Sequence, residues 1–196
     1  MLYQSGKLIA VKELQSGDIP AALLQHFLVN IPILCMIGIA VWVWKRQFPA
    51  VFGLTTGDKK KRCSMLLAGG AFVLLLAAAL VKEVNTPANL LYQRLYYLIF
   101  IALAEEALCR GLLPVLMEKG EFPKWCVWII PGVLFGMMHT LIPAIKGTLT
   151  AATVFSSIGG MLVSHCVFYA WRRWSGTLWL PIFIHAALDF AGVFIG

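Results

Sequence analysis

The sequence predicts an all-α, polytopic membrane protein with about six transmembrane helices. Of its 196 residues, 60% are hydrophobic and 13% are charged, whereas soluble domains average roughly 45–50% and about 25%. The apolar runs are near-continuous rather than alternating, which favours helices over a membrane β-barrel. Each run is close to the roughly 20 residues that cross a hydrocarbon core of about 30 Å.

These runs divide the chain into elements in a simple order. The predicted spans are 19–44, 64–81, 90–117, 125–141, 149–171 and 177–195. Ahead of them, in 1–18, Leu8, Val11 and Leu14 recur at helical spacing, which fits a short interfacial helix or a plain tail equally well. No repeat or long linker interrupts the sequence, so 1–196 is expected to form one integral membrane domain.

The basic residues alternate between loops in a way that predicts orientation. The chain has a net charge of +7, and most of its lysines and arginines lie in the first, third and fifth loops. These residues are Lys45, Arg46, Lys59, Lys60, Lys61, Arg62, Lys119, Lys124, Arg172 and Arg173. The positive-inside rule places such loops in the cytoplasm. No aromatic side chains interleave with the basic cluster, so a nucleic-acid partner is not expected.

Ionisable side chains occur inside three predicted spans, where they are costly. The third span carries Glu105, Glu106 and Arg110, the fourth ends at His139, and the sixth carries His185 and Asp189. Each costs at least about 2.5–3.5 kcal/mol near mid-membrane, so such residues indicate function. Counted at 1.5 Å per residue, all three helices bring these groups to similar depths.

Helix geometry separates the two adjacent glutamates. Residues four apart lie about 40° apart around the axis and adjacent residues about 100° apart. Glu106 and Arg110 therefore share a face at ion-pairing distance and are predicted to support the structure. Glu105 points away from that pair and is the candidate for catalysis, while His185 and Asp189 share a face of their own helix.

Non-catalytic explanations of the same residues remain open. The polar set could be a buried network that only fixes helix packing, a proton relay in a coupled transporter, or part of a binding protein that recognises transmembrane segments. His165 in the fifth span has no carboxylate nearby in sequence and is interpreted as a packing or hydrogen-bonding residue. Small residues in that span, Ser156, Ser157, Gly159 and Gly160, are interpreted as helix contacts.

Three segments together resemble the CPBP family of intramembrane proteases, which includes CAAX prenyl endopeptidases and bacterial self-immunity proteins. The family motif E-E-x-x-x-R matches E-E-A-L-C-R at 105–110, and F-x-x-x-H matches F-G-M-M-H at 135–139. The final motif, a small-Leu-Trp segment leading to H-x-x-x-N, resembles G-T-L-W at 176–179 followed by H-A-A-L-D at 185–189. The likeness covers roughly 90–192.

The resemblance implies a glutamate-type intramembrane endopeptidase. By that likeness, Glu105 and His139 activate water and His185 stabilises the oxyanion. Asp189 stands where the family has Asn, and an ionised carboxylate cannot donate to an oxyanion, so we interpret Asp189 as orienting His185. Cys109 stands where a large apolar residue is typical. A packing role is the simpler reading of this thiol, and a nucleophile for sortase-like transpeptidation is the alternative.

The residue types suit amide hydrolysis with or without a metal. A carboxylate withdrawn from water binds a proton more strongly and is a better base, and imidazoles can donate to the oxyanion. Glu105, His139 and His185 could instead hold Zn²⁺. The chain has no H-E-x-x-H motif and no C-x-x-C pair among its five cysteines, so we favour a mechanism without a cofactor.

The sequence restricts the substrate only to a class. We expect a peptide or a membrane-anchored protein, with a prenylated C-terminal tail, a bacteriocin-related peptide and a C-terminal sorting anchor as candidates. The short chain and small loops favour a prokaryotic cytoplasmic membrane.

Overall fold

The computed structural model describes residues 57–82, 101–140, 143–144 and 147–195, together with 35, 37–40, 42–43 and 53. These residues are almost entirely helical, and none of them lies in a β-strand. The predicted all-α class is therefore confirmed for the described part of the chain. The predictions for 1–18 and for most of the first span lie outside these residues.

Six helices and one π-helical segment have defined bounds in the described structure, and residues 101–103 are also π-helical. The helices are α1 (Lys59–Lys82), α2 (Ala104–Glu106), α3 (Leu113–Lys119), α4 (Lys124–Met138), α5 (Ala151–Ser175) and α6 (Trp179–Ile195). The π-helical segment, Ala107–Leu112, joins α2 to α3 without a break. Helices α1, α4, α5 and α6 coincide with four of the predicted spans, and α2 to α3 occupies the second half of another.

One described helix, Ala151–Ser175, is long and apolar enough to cross a membrane, and Lys124–Met138 and Trp179–Asp189 are shorter apolar helices. Only 17% of the most apolar window of Ala151–Ser175 is buried within the structure, so most of its apolar surface faces outward. This arrangement suits a lipid-facing helix better than the core helix of a water-soluble protein. The total of six spans remains a prediction.

Local sequence explains where α5 begins and ends. Thr150 and Thr153 form a reciprocal cap, in which each hydroxyl accepts a hydrogen bond from the other residue's backbone N–H. At the other end Gly176 adopts φ 68°, a left-handed conformation that costs glycine little. The chain then turns through Thr177 and Leu178 into α6. This turn brings the motif on α6 back alongside α5.

The π-helical segment lies directly after the two glutamates and has a physical cause. Pro114, in the first turn of α3, has no N–H to offer the Arg110 carbonyl, and its ring would crowd that carbonyl in an α-helix. The chain widens instead, and the Leu113 N–H donates to the Leu108 carbonyl five residues earlier. Such π-helical turns occur frequently at functional sites.

Alanines of the glutamate-bearing segment and of α6 lie in one buried apolar cluster. Ala104, Ala107 and Ala186 are buried in one apolar cluster with Ile182 and Phe135. Small side chains at a helix contact allow two backbones to come near each other. Glu105 directly follows Ala104 in the chain, and His185 directly precedes Ala186.

Helices α4 and α5 approach each other closely at two glycines of α4. A Cβ added to Gly136 would lie 2.6 Å from the Ile158 Cα, and one added to Gly132 would lie 2.7 Å from a Leu162 methyl. The predicted packing role holds for the buried Ser157. At Gly159 and Gly160 no atom of the described residues lies within 4 Å of an added Cβ, and Ser156 is exposed.

We expect Gly136→Ala to destabilise the protein by about 1–3 kcal/mol, the usual cost of overpacking a tight contact. The reason is that the clash is with backbone, which cannot rotate away as a side chain can. Gly160→Ala is the matched control and should leave stability unchanged. Thermal unfolding of both variants in detergent measures the difference, and equal midpoints would contradict this account of the interface.

Candidate active site

The polar side chains from α2, the π-helical segment and α6 form one cluster. Glu105 and Glu106 extend from α2, Arg110 from the π-helical segment, and His185 and Asp189 from α6. The sequence predicted that these groups would lie at similar depth. The structure additionally shows that they touch.

The predicted pair of Glu106 and Arg110 is present and fully buried. Arg110 Nη1 lies 3.1 Å from Glu106 Oε1, and both side chains are 0% exposed. Phe135 and Phe168 cover the guanidinium, with its central carbon 4.5 Å and 5.3 Å from the two ring centroids. Within the described part of the chain, Glu106 is the only carboxylate paired with Arg110. A buried cation is thus held by one carboxylate and two aromatic faces.

His185 makes a contact with Glu106 that the sequence did not predict. Its Nδ1 lies 2.7 Å from Glu106 Oε1, the same oxygen that faces Arg110. Because an ionised carboxylate only accepts, Nδ1 must carry the proton of this hydrogen bond. The Phe168 ring stacks on the imidazole with centroids 5.5 Å apart and planes 16° apart. Glu106 therefore joins the arginine to the histidine.

The other nitrogen of His185 faces two further carboxylates. Nε2 lies 3.7 Å from Glu105 Oε2 and 3.6 Å from Asp189 Oδ2. These are ion-pair distances and are longer than a direct hydrogen bond. The Glu105 side chain is 15% exposed and that of His185 is 12% exposed, in contrast to the fully buried Glu106. Glu105 and Glu106 thus point in different directions, as helix geometry predicted.

His139 lies immediately after α4, at its C-cap. Its Nδ1 is 2.8 Å from the Phe135 carbonyl oxygen, which can only accept, so Nδ1 donates and the Nε2 lone pair is left for another group. The ring packs edge-on against Phe135, with centroids 4.6 Å apart. His139 and Glu105 also interact electrostatically. Phe135 thus contacts two residues of the site, His139 and Arg110.

The remaining sequence candidates lie in the core. Cys109 is fully buried in the apolar cluster around Ala104 and Leu112. His165 is also fully buried, and its ring stacks on Tyr169 with centroids 5.6 Å apart and planes 13° apart. Both side chains are therefore shielded from solvent.

The arrangement of the site does not match a zinc site. Among the residues that the structure describes, no group of three His, Cys, Asp or Glu side chains is placed to hold a metal ion. His185 donates from Nδ1 to Glu106 and His139 donates from Nδ1 to a backbone carbonyl, so each ring presents Nε2 to the site. Because Glu105, His139 and His185 are not placed as three ligands of one ion among the described residues, the proposed steps involve no metal.

Phe168 is a site residue that sequence reasoning missed. It contacts His185 by stacking and Arg110 by its face, yet it belongs to none of the three motifs. In the sequence, the one feature that marked Phe168 was its position one turn after His165 in an apolar span. Many lipid-facing residues have a similar position, so this feature did not single it out.

Comparison with known proteins identifies a family. A family model described as type II CAAX prenyl endopeptidase, Rce1-like, matches residues 87–191, which is more than half of the chain. The matched region contains the whole cluster from Glu105 to Asp189. No curated protein and no solved structure matches the chain.

Proposed function

The chain belongs to the Rce1-like family of type II CAAX prenyl endopeptidases, a family of membrane proteases, and from that premise we propose that it hydrolyses peptide bonds within the membrane. The observation that carries this proposal is the pairing of Glu105 with the Nε2 edge of His185 at 3.7 Å. A partly exposed carboxylate beside an imidazole supplies both a base for water and a donor for the reacting carbonyl.

In the proposed first step, Glu105 accepts a proton from water while the water oxygen attacks the carbonyl carbon of the scissile bond. His139 supports this step, because its Nε2 lone pair can accept a hydrogen bond from the same water. The carbonyl electron pair moves to the oxygen and forms a tetrahedral oxyanion. General-base assistance of this kind typically contributes about 10²–10⁴-fold to the rate.

In the second step, His185 donates from Nε2 to the oxyanion. The imidazole can do so when both ring nitrogens carry protons, and three carboxylates surround it in the cluster. Asp189, at 3.6 Å from Nε2, adds negative charge that favours this form and acts on the ring rather than on the substrate. The intermediate then collapses, the C–N bond breaks, and the proton held by Glu105 passes to the departing amine.

The substrate we propose is a peptide or a membrane-anchored protein whose cleavage site reaches the depth of this cluster. A prenylated C-terminal tail, a bacteriocin-related peptide and a C-terminal sorting anchor remain the candidates, and a prokaryotic cytoplasmic membrane is the proposed location. Family membership supports the protease class without choosing among these substrates.

The test is cleavage by the purified chain in detergent or lipid nanodiscs, against a panel that represents each substrate class. Mass spectrometry should detect new peptide termini that are absent with the Glu105→Gln variant. In cells, the same comparison of membrane-protein termini identifies the natural substrate. Binding of transmembrane peptides without cleavage, or proton-coupled uptake by reconstituted vesicles, would replace the protease proposal.

We expect the purified protein to cleave its substrate without bound zinc, because the proposed steps need only Glu105 and the two imidazoles. Elemental analysis should find zinc well below one atom per chain, and chelators should leave the rate unchanged. Stoichiometric zinc, together with loss of activity on chelation and recovery on adding zinc, would establish the metal-dependent alternative.

We expect Cys109→Ala to keep most of the activity, since activated water needs no thiol and the side chain lies in the apolar core. Cys126→Ala, at another buried thiol that lies in a different apolar cluster, is the control for the loss of core volume. A trapped thioester between substrate and Cys109, or complete inactivity of a folded Cys109→Ala protein, would support transpeptidation instead.

A further inference from the structure

We propose that Glu106 is a positioning residue for His185, which it holds in a fixed tautomer and orientation with the help of Arg110 and Phe168. The E-E-x-x-x-R segment would then contribute two carboxylates with different tasks, one for water and one for the histidine. The catalytic consequence rests on the proposed function, while the structural assignment stands on the contacts of Glu106.

The first contact is the 2.7 Å hydrogen bond from His185 Nδ1 to Glu106 Oε1. It is the shortest polar contact of either residue, and Glu106 is fully buried. As long as Glu106 is ionised, the neutral imidazole must keep its proton on Nδ1. Nε2 is then free to receive a proton or, in the charged ring, to donate one.

Arg110 explains how an ionised carboxylate is maintained at this place. Its Nη1 lies 3.1 Å from the same Oε1, so one oxygen is held between a cation and the imidazole. A buried carboxylate with no cation would be strongly disfavoured in its charged form. The arginine therefore acts on His185 only through Glu106.

Phe168 packs against one face of the imidazole, while Glu106 holds its Nδ1 edge, and both contacts restrict the orientation of the ring. The phenyl ring stacks on His185 and also approaches the Arg110 guanidinium. A hydrogen bond at one nitrogen and a ring against one face leave the imidazole a single orientation. That orientation points Nε2 toward Glu105 and Asp189, where the proposed reaction takes place.

Asp189 cannot replace Glu106 in this role. It approaches Nε2 rather than Nδ1, at 3.6 Å, so it does not determine which nitrogen of the neutral ring is protonated. Carboxylate partners of this kind fix the tautomer of a functional histidine by holding the nitrogen that is not used.

Two uncharged double variants test the assignment, because both remove the buried ion pair as a unit. Glu106→Leu/Arg110→Met deletes the acceptor for Nδ1. Glu106→Gln/Arg110→Gln keeps an amide carbonyl that can still accept from Nδ1. The measurement is ¹⁵N NMR of the His185 imidazole in the full chain in detergent, with the signal assigned by its loss in His185→Gln.

We expect the wild-type protein to show a protonated, hydrogen-bonded Nδ1. The Gln/Gln variant should retain this signature, whereas the Leu/Met variant should populate the Nε2-protonated tautomer. Asp189→Asn should keep the Nδ1 proton. In cleavage assays, kcat of the Leu/Met variant should be about 10–100-fold below that of the Gln/Gln variant, with a much smaller change in KM.

A wild-type ring that is protonated on Nε2 alone would overturn the proposal without any variant, as would a folded Leu/Met protein with an unchanged Nδ1 signal. The spectra do not depend on catalysis. If the tautomer behaves as expected and no substrate is cleaved, the positioning assignment stands and the proposed function fails.

Discussion

Glu105→Gln is expected to lower the cleavage rate by at least about 10²-fold, at the low end of what a general base contributes, and to leave the fold intact. Gln is nearly isosteric with Glu, but its amide cannot accept the proton of the attacking water. Glu105 also lies at the partly exposed edge of the cluster, with its closest charged partner 3.7 Å away. Its neutral replacement should therefore cost little stability.

The measurement is single-turnover cleavage together with thermal unfolding of the same preparation. Asp189→Asn is a useful comparison, because it also removes one negative charge near Nε2 of His185 but introduces the residue that is usual in the family. We expect that variant to retain substantial activity. Near-normal turnover by Glu105→Gln would exclude Glu105 as the base and would direct attention to His139.

The sequence could predict relations within one helix and could not predict relations between helices. The Glu106–Arg110 pair and the divergence of Glu105 follow from residue spacing along a single axis, and both are present. The Glu106–His185 hydrogen bond joins residues 79 positions apart. Helical periodicity does not specify how far one helix is rotated about its own axis against another, so that contact could not be derived.

The same limit explains why the contacts of some small and aromatic residues could not be predicted from the sequence. The sequence shows glycines in both α4 and α5, but only the packing decides that Gly136 meets a backbone while Gly160 does not. Likewise, Phe135 could be found from its motif, whereas Phe168 is one of many aromatic residues in apolar spans. The π-helical turn depends on Pro114 together with the residues around it. Residue spacing alone does not predict such a turn.

Glu106→Gln is expected to lower the free energy of unfolding by about 3–5 kcal/mol, the typical cost of breaking a buried ion pair by removing one partner. Arg110 is fully buried, and Glu106 is its paired carboxylate within the described residues. The Gln amide leaves the guanidinium charge without compensation, and Phe135 and Phe168 offset only part of that charge.

Adding Arg110→Gln to Glu106→Gln should recover part of this stability, because the double variant buries no net charge. A double-mutant cycle of unfolding free energies in detergent gives the coupling energy between the two residues. We expect this coupling energy to exceed about 1.5 kcal/mol, the lower end of the range for hydrogen bonds to charged groups. The cycle Glu105→Gln with Arg110→Gln is the matched control, because within the described residues Arg110 forms its ion pair with Glu106 and not with Glu105. Equal coupling in both cycles would show that the adjacent glutamates share Arg110, and the division of tasks between them would be wrong.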